Sequence, residues 1–301
     1  PAWGVFWEQD PTRCEKYIRK MVARHLHDPA AGGFNRHDNG QREHAFLEAG
    51  GVLVESLAWL NAKTPDDALV EQALKIAQYS YRHRGESTGL IANNPDAGRW
   101  DSLVCTTEVG LWANCLLRAA EFTSNDEFTT MARDAVKAYL RFGYDDENLS
   151  YFGQLAIKNG QPVVPEAVGY WPRKHSDIWN PDQWPTHDYP MDLAEACIEL
   201  HEKTGDPMFL QAVRRWSEIA MRSSASDRKT AYAGQYARCI RFLMRAAYLT
   251  DSQEPLQVAR ALADEAVDRL FENGWFQGYP ESHVYESVDG VGDLMLVLLD
   301  L

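Results

Sequence analysis

Apolar residues recur every three to four positions through most of the chain, a period that predicts α-helices. Ten helices are expected. The more apolar ones are predicted near 44–61, 103–122, 188–203, 232–249 and 286–301. The more polar ones are predicted at 10–27, 66–83, 126–142, 207–222 and 255–272. A helix that is apolar all round must be buried, so we expect the first set inside and the second outside.

An acidic residue repeats at one end of three of the apolar segments. Glu48 precedes Asp66 by eighteen residues, and the same spacing separates Glu108 from Asp126. A third copy gives Asp188, eighteen residues before Asp206. The spacing corresponds to about five helical turns, so each copy is expected to place its acid at the same end of an inner helix.

The connections alternate between short turns and long loops rich in aromatic residues. Short turns join each inner helix to the next outer one, so all the long loops are expected at one rim. This pattern predicts an all-α fold, an (α/α) toroid with five visible helical hairpins, as a single domain over residues 1–301. The cleft is expected at the N-terminal ends of the inner helices. An α-solenoid is the alternative, and a small hairpin of 150–157 with 162–168 is also expected.

Composition narrows the possible partners. The net charge of -14 argues against nucleic acid, because binding phosphates needs a basic surface. No apolar run is long enough for a membrane span, and no secretory leader opens the chain. An acidic sugar stays possible, because Arg173, Lys174 and His175 form a local basic cluster.

Cysteine and histidine spacing predict neither a cofactor nor a metal site. The five cysteines form no CxxC or zinc pattern and are expected to be buried apolar residues. No HExxH motif, phosphate loop or nucleophile elbow occurs either.

A candidate sugar site lies at the start of the helix predicted from residue 188. His187, Asp188 and Tyr189 follow a loop rich in tryptophan and basic residues. Imidazole, carboxyl and phenol groups can all transfer protons, so these three are candidate catalytic residues, together with Asp101 and Glu108. Acids near helix N-termini are also stabilised by the helix dipole, so a capping role is the simpler alternative for Glu48 and Glu108.

Polar and aromatic loop residues are the candidates for substrate binding. They are Asn94, Arg99, Trp100, Trp171, Arg173, His175, Trp179, Trp184, Trp275, Tyr279, His283 and Tyr285. The loop tryptophans are expected to stack on sugar rings, whereas Trp59, Trp112 and Trp216 lie within helices and are expected in the core.

The hairpin pattern, the Gly32-Gly33-Phe34 sequence and the tryptophan-rich loops resemble the six-hairpin glycosidase and (α/α)-toroid polysaccharide lyase superfamily. Thr186-His187-Asp188, followed by Thr204-Gly205-Asp206, is similar to the helix that carries an active-site aspartate in unsaturated glucuronyl hydrolases. The segment from Arg99 to Leu103 resembles that of the second aspartate.

The resemblance and the candidate residues together predict an enzyme acting on a uronate-containing poly- or oligosaccharide. β-Elimination is favoured, with tyrosine and histidine as acid and base and with Arg or Asn neutralising the uronate carboxylate. The alternative is hydrolysis by Asp188 with Asp101 or Glu108. A sugar epimerase and a non-catalytic glycan-binding protein remain further alternatives. A lyase would be exported, and an oligosaccharide hydrolase would be cytoplasmic.

Overall fold

Helices dominate the computed structural model, which describes residues 3–37, 45–95, 101–163, 174–179, 191–281 and 289–301. The helices in these ranges are α1 (Trp3–Gln9), α2 (Pro11–His25), α3 (Leu47–Lys63), α4 (Asp67–Arg82), α5 (Thr106–Thr123), α6 (Asp126–Gly143), α7 (Met191–Thr204), α8 (Pro207–Arg222), α9 (Ala233–Thr250), α10 (Glu254–Leu270) and α11 (Val291–Asp300). The strands are β1 (Leu26–Asp28), β2 (Gly33–Phe34), β3 (Leu103–Cys105), β4 (Tyr144–Asp145), β5 (Ser150–Tyr151), β6 (Gln154–Ala156), β7 (Phe271–Glu272) and β8 (Trp275–Phe276). The all-α prediction is confirmed, and α1 is an additional short helix.

The chain packs as two compact units. The first unit comprises Pro1–Gly143 with Gln154–Val164, and the second comprises Tyr144–Gly153 with Pro165–Leu301. Helices α1 to α6 belong to the first unit and helices α7 to α11 to the second. The expectation of a single domain over residues 1–301 stays a prediction.

The fraction of buried residues alternates between inner and outer helices, as the sequence predicts. In the first unit, 13 of the 18 residues of α5 are buried, against six of the 16 residues of α4. In the second unit, ten of the 18 residues of α9 are buried, against six of the 17 residues of α10. Helices α3 and α5 pack closely, because a Cβ atom on Gly51 would lie 3.1 Å from the Trp112 Cα atom. Trp59, Trp112 and Trp216 are core residues, which confirms their predicted role.

The last helix differs from its prediction as an inner helix. Only Val291, Leu294 and Val297 of α11 are buried, and these residues lie on the face that packs against α9. The other face is covered by no described residue and leaves three large apolar side chains exposed: Met295, Leu296 and Leu299. Apolar composition alone therefore does not identify a buried helix.

The aspartate that ends each of two repeat copies caps the outer helix that follows, a role that the sequence analysis did not assign. The Asp66 carboxylate accepts the Ala68 N–H at 3.0 Å, and the Asp206 carboxylate accepts the Met208 N–H at 2.9 Å. Both carboxylates satisfy a free amide in the first turn of an outer helix. In the second copy the cap is Asn125 rather than Asp126, since the Asn125 Oδ1 atom accepts the Glu127 N–H at 2.9 Å.

Short two-stranded ribbons replace part of what was predicted as helix and hairpin. Residues 103–105 form strand β3 rather than the first turn of a helix, and β3 pairs antiparallel with β6. Part of the predicted hairpin of 150–157 with 162–168 is present. Leu155 bridges Pro162, and the Val163 N–H donates to the Gln154 carbonyl oxygen at 3.1 Å. Residues 150 and 151 form β5 and pair with β4 instead, and residues 164–168 lie outside the described residues.

Three outer helices run directly into a ribbon. Strand β1 begins at the residue after α2, β4 at the residue after α6, and β7 at the residue after α10. Each of these strands pairs with the next strand returning from its own loop. Each ribbon is therefore a tight hairpin with a turn of two to four residues, and the longer connection to the next helix follows it.

Two further features concern membranes and thiols. No helix in the described part of the chain is long and apolar enough to cross a membrane. All five cysteines are free thiols in the interior, as predicted, and burial raises the pKa of the Cys239 thiol to about 12.

The Gly32-Gly33-Phe34 sequence has a structural explanation that predicts a stability effect. Gly32 has φ +80°, and a Cβ atom there would lie 2.1 Å from the Lys75 carbonyl oxygen of α4. Gly205 also has positive φ, but its Cβ position is open. We expect Gly205→Ala to lower the free energy of unfolding by about 1 kcal/mol and Gly32→Ala by about 3 kcal/mol. Urea denaturation of both variants measures this, and equal losses would contradict the packing argument.

Candidate functional site

The N-terminus of α3 is capped by groups from other segments of the first unit. Asn93 supplies the backbone carbonyl oxygen that accepts the Leu47 N–H at 2.8 Å. Glu108, in the first turn of α5, supplies the Oε2 atom that accepts the Glu48 N–H at 3.1 Å. Asn93 is itself fixed, because its Oδ1 atom accepts the Cys105 N–H at 2.9 Å. These bonds satisfy amides that a helix start leaves free and join the starts of α3 and α5.

Glu48 and Glu108 form a hydrogen-bonded carboxyl pair at this junction. Glu108 is 1% exposed. Burial, followed by repulsion from Glu48, raises the pKa of the Glu108 carboxyl well above its usual range. Glu108 therefore keeps its proton where a free carboxyl group is ionised. A protonated Glu108 can donate to Glu48, whose Oε2 atom is buried without a partner among the described residues.

Arg36 and the helix dipole both place positive charge beside the Glu48 carboxyl group. The Arg36 Nη1 atom lies 3.2 Å from the Glu48 Oε1 atom, and the position in the first turn of α3 places the carboxylate near the positive end of the helix dipole. The Glu48 side chain is 15% exposed. The pair thus combines the partly exposed carboxyl group of Glu48 with the proton retained by the buried carboxyl group of Glu108.

Two buried amides near the same junction have unused hydrogen-bonding atoms. Gln154, which is 1% exposed, lies opposite Cys105 in the β3–β6 ribbon, so both side chains lie on one face of that ribbon. Its Nε2 and Oε1 atoms have no partner among the described residues. The same holds for the Nδ2 atom of Asn35, the neighbour of Arg36. Unpaired buried amides are costly, and a polar ligand with donors and acceptors would satisfy them.

In the second unit, the predicted binding residue His175 is held by a carboxylate. The His175 Nε2 atom lies 2.7 Å from the Asp145 Oδ2 atom, and the Phe152 ring stacks on the imidazole at a centroid distance of 5.4 Å. Hydrogen bonds from His175 and then Asn148 lower the pKa of Asp145 to about 2. Asp145 is therefore an ionised acceptor that fixes the plane of the ring.

His175 lines a cavity of about 470 Å³ that we call the hairpin cavity. The polar residues around it are Asn148, Ser150, Lys174, His175, Ser176, Asp177, Arg222, Ser223 and Asp227. The volume lies in the range of small-molecule sites.

Trp179 also lines this cavity, but its predicted role as a stacking platform is wrong. The side chain is 1% exposed. Its ring packs against Tyr236 at a centroid distance of 5.4 Å, and the Arg228 guanidinium lies 5.7 Å from its centroid. A sugar has no open ring face to stack on, so Trp179 is a buried aromatic residue at the cavity wall.

The other predicted residues fall into three groups. Asn94 is fully buried and Asp101 is exposed. Trp275 and Tyr279 are 55% and 46% exposed, so their rings are open to a ligand. The remaining candidates lie outside the described residues and stay predictions: Arg99, Trp100, Trp171, Arg173, Trp184, His187, Asp188, Tyr189, His283 and Tyr285.

Several polar residues of these sites were missed from the sequence. Arg36 and Asn35 follow the Gly32-Gly33-Phe34 sequence directly, a position that offered a signal. Asp145 lies in a short ribbon that no periodicity revealed, and Gln154 lies in the predicted segment 150–157 but was not identified as a site residue. Asp192, in the first turn of α7, is 7% exposed.

Asp192 pairs with Arg238 of α9 at 2.6 Å. This contact links two helices of the second unit in the way that the Glu48–Glu108 pair links α3 and α5.

Comparison with solved structures relates the fold to enzymes that act on sugars. An alpha-1,6-mannanase from Salegentibacter sp. HEL1_6 has a TM-score of 0.60 and 13% identity, covering 97% of this chain and 85% of its own. A D-mannose isomerase has a TM-score of 0.64 and 12% identity, covering 99% and 85%. A cellobiose 2-epimerase from Bacillus thermoamylovorans B4167 has a TM-score of 0.60 and 12% identity, covering 95% and 82%.

These similarities concern the fold. They confirm the predicted (α/α)-toroid fold class. No protein-family model matches the chain, and no curated protein matches it in sequence.

The carboxyl pair predicts a pH dependence of stability. The unfolded chain releases the Glu108 proton near its ordinary pKa of 4.5, whereas the folded chain keeps it. As pH rises above that value, the contribution of Glu108 to stability falls by up to about 1.4 kcal/mol per pH unit until the raised pKa is reached. Glu108→Gln cannot titrate, so the stability of wild type relative to this variant should decrease with rising pH. Urea unfolding across acidic to neutral pH measures this, and parallel curves would contradict a retained proton.

Proposed function

We propose that this protein is a carbohydrate-active enzyme that hydrolyses a glycosidic bond, with Glu48 as the carboxylate that contacts the sugar or the attacking water. The observation that carries the proposal is the Glu48–Glu108 pair at the start of α3 and α5. It holds one retained proton and one partly exposed carboxylate. The site lies where inner helices begin, as the toroid prediction expects.

In this proposal the two carboxyl groups have different roles. Glu48 accepts a proton from water or from a sugar hydroxyl, and the Arg36 guanidinium lies 3.2 Å from its carboxyl group. Glu108 is fully buried and is a positioning residue. Its retained proton orients the Glu48 carboxylate, and its Oε2 atom fixes the Glu48 backbone. General base catalysis by a positioned carboxylate typically contributes about 10²- to 10⁴-fold to the rate.

Hydrolysis also needs a proton donor for the leaving oxygen. Glu48 and Glu108 act as one hydrogen-bonded unit, whereas the two carboxyl groups of a hydrolase lie about 5 to 9.5 Å apart. Glu108 therefore does not serve as the second catalytic group in this proposal. From the sequence, Asp188 remains the candidate for that role.

The solved relatives support a sugar substrate. A variant of the Salegentibacter mannanase, inactivated at two aspartates, was solved with alpha-1,6-mannotetrose, so in that enzyme carboxyl groups are needed for activity. The relatives also include an isomerase and epimerases, which change a sugar without cleaving a chain.

β-Elimination on a uronate remains the other reaction predicted from the sequence. Its proposed groups, Tyr189, His187 and Arg173, lie outside the described residues. We place hydrolysis first because its carboxylate is supported by contacts among the described residues.

A substrate panel separates these reactions. Incubation with mannan oligosaccharides, uronate polysaccharides, cellobiose and mannose should give new reducing ends for a hydrolase. New ultraviolet absorbance from an unsaturated product would indicate a lyase instead. A new monosaccharide or disaccharide without change of chain length would indicate an epimerase or isomerase. Either of the last two results would overturn hydrolysis.

With the active substrate in hand, Glu48→Gln should lower kcat by about 10²-fold or more, because amides cannot accept the proton. The KM should change much less, since proton transfer acts in the transition state. Glu71→Gln is the matched control, because Glu71 is exposed on α4 and pairs only with Lys75 among the described residues. Unchanged turnover in a folded Glu48→Gln protein would place the reaction elsewhere.

A further inference from the structure

We propose that the second unit carries a binding site for a neutral saccharide in the hairpin cavity, with His175 as an acceptor for a sugar hydroxyl. The choice of a saccharide rests on the proposed function. The site itself rests on contacts within the second unit.

The first observation is the orientation of His175. Asp145 is ionised and lies 2.7 Å from Nε2, so it accepts the Nε2–H of the imidazole. In the neutral ring the other nitrogen, Nδ1, is then a hydrogen-bond acceptor. The carboxylate is fixed in turn, because Asp145 Oδ2 accepts the Asn148 Nδ2–H at 2.9 Å. The ring therefore presents an acceptor that cannot easily rotate away.

The second observation is an unused donor in the wall of the same cavity. Trp179 is 1% exposed, and its Nε1–H has no partner among the described residues. Its position is fixed, since its backbone N–H is accepted by Asp177 Oδ1 at 2.9 Å and its ring packs against Tyr236. A buried donor without a partner is costly. A ligand oxygen that reaches this atom through a shift of the cavity wall would satisfy it.

The third observation is the balance of charge around the cavity. Lys174 and Arg222 are opposed by Asp177 and Asp227. Arg222 is already engaged, because it donates to the Leu149 carbonyl oxygen. The Asp227 carboxylate accepts from both the backbone and the hydroxyl of Ser224. An anionic sugar would gain little from such a surface and would face two carboxylates.

Sugar hydroxyls both donate and accept, and the cavity offers both kinds of group. The hydroxyls of Ser150, Ser176 and Ser223 add groups of either kind. The volume of about 470 Å³ exceeds what ordered water needs and fits a small saccharide. A neutral mono- or disaccharide therefore fits the cavity by size, charge and hydrogen bonding.

The test follows the ring signals of His175 by NMR in histidine-labelled full-length protein, assigned with His175→Asn. Mannose, glucose, cellobiose and glucuronate are the probes. A neutral sugar should shift the His175 signals saturably. Asp145→Asn should weaken that binding about tenfold, because it frees the ring, and Trp179→Phe about fivefold, because it removes one donor.

Asp146→Asn is the matched control for Asp145→Asn. Asp146 is the adjacent acid, with an 84% exposed side chain and a 3.5 Å contact to Arg215, and its replacement should leave binding unchanged. Melting temperatures of all variants separate loss of the site from loss of the fold.

Three results would overturn the proposal: no shift with any neutral sugar, equal affinities of the Asp145 and Asp146 variants, or preferred binding of glucuronate. The Glu48→Gln protein distinguishes failure of the second-unit binding site from failure of the proposed hydrolytic function. Sugar binding at His175 should persist in Glu48→Gln even though turnover is lost. Turnover by wild type without any His175 shift would reject the second-unit site alone.

Discussion

The hydrogen bond from the Glu48 backbone to the Glu108 carboxyl group is the contact on which the first unit's site depends. It caps α3 with a side chain from α5, so the two most buried helices of the unit start at a fixed distance. The contact has a cost, because it removes the Glu108 carboxyl group from water and places it beside the carboxyl group of Glu48. Retention of a proton removes that cost, because a neutral carboxyl group can be buried and can donate as well as accept. The Glu108 carboxyl group therefore both caps α3 and holds the proton of the acid–base pair.

This observation changes the choice between capping and function for the repeated acids. The sequence analysis treated capping as the simpler alternative to a chemical role for Glu48 and Glu108. In the structure Glu108 caps a neighbouring helix rather than its own, and that arrangement brings Glu48 into a shared hydrogen bond. A residue can thus satisfy a helix terminus and still alter the protonation of its neighbour.

Sequence periodicity predicted most of the helical fold, because alternating apolar and amphipathic segments must be sorted by burial. It placed α3 to α10 within a few residues. It failed for α11, whose apolar face at Leu296 and Leu299 is exposed, since composition does not show what packs on a helix. It also missed β3 and β4, because strands of two or three residues leave no periodic signal, whereas β5 and β6 lie within the predicted segment 150–157.

The candidate sites were less predictable than the fold. Repeat spacing identified Glu48 and Glu108 as equivalent, and the basic loop identified His175. The pairing of Arg36 with Glu48 and of Asp145 with His175 could not be predicted, because tertiary contacts bring these residues together from separate segments of the chain. Trp179 shows the opposite error, since a loop position suggested exposure whereas Tyr236 and Arg228 enclose its ring.

The ribbons that begin directly after α2, α6 and α10 have a consequence for how such a protein can diverge. Each ribbon is a tight hairpin with a turn of two to four residues, and backbone hydrogen bonds hold its two strands together. The hairpin separates the end of the helix from the long loop that follows it, so residues can be inserted, deleted or exchanged in that loop without disturbing the end of the helix. Helical packing and ligand preference are thereby able to change independently over evolutionary time. That separation is consistent with folds this similar occurring at 12–13% sequence identity among enzymes with different sugar substrates.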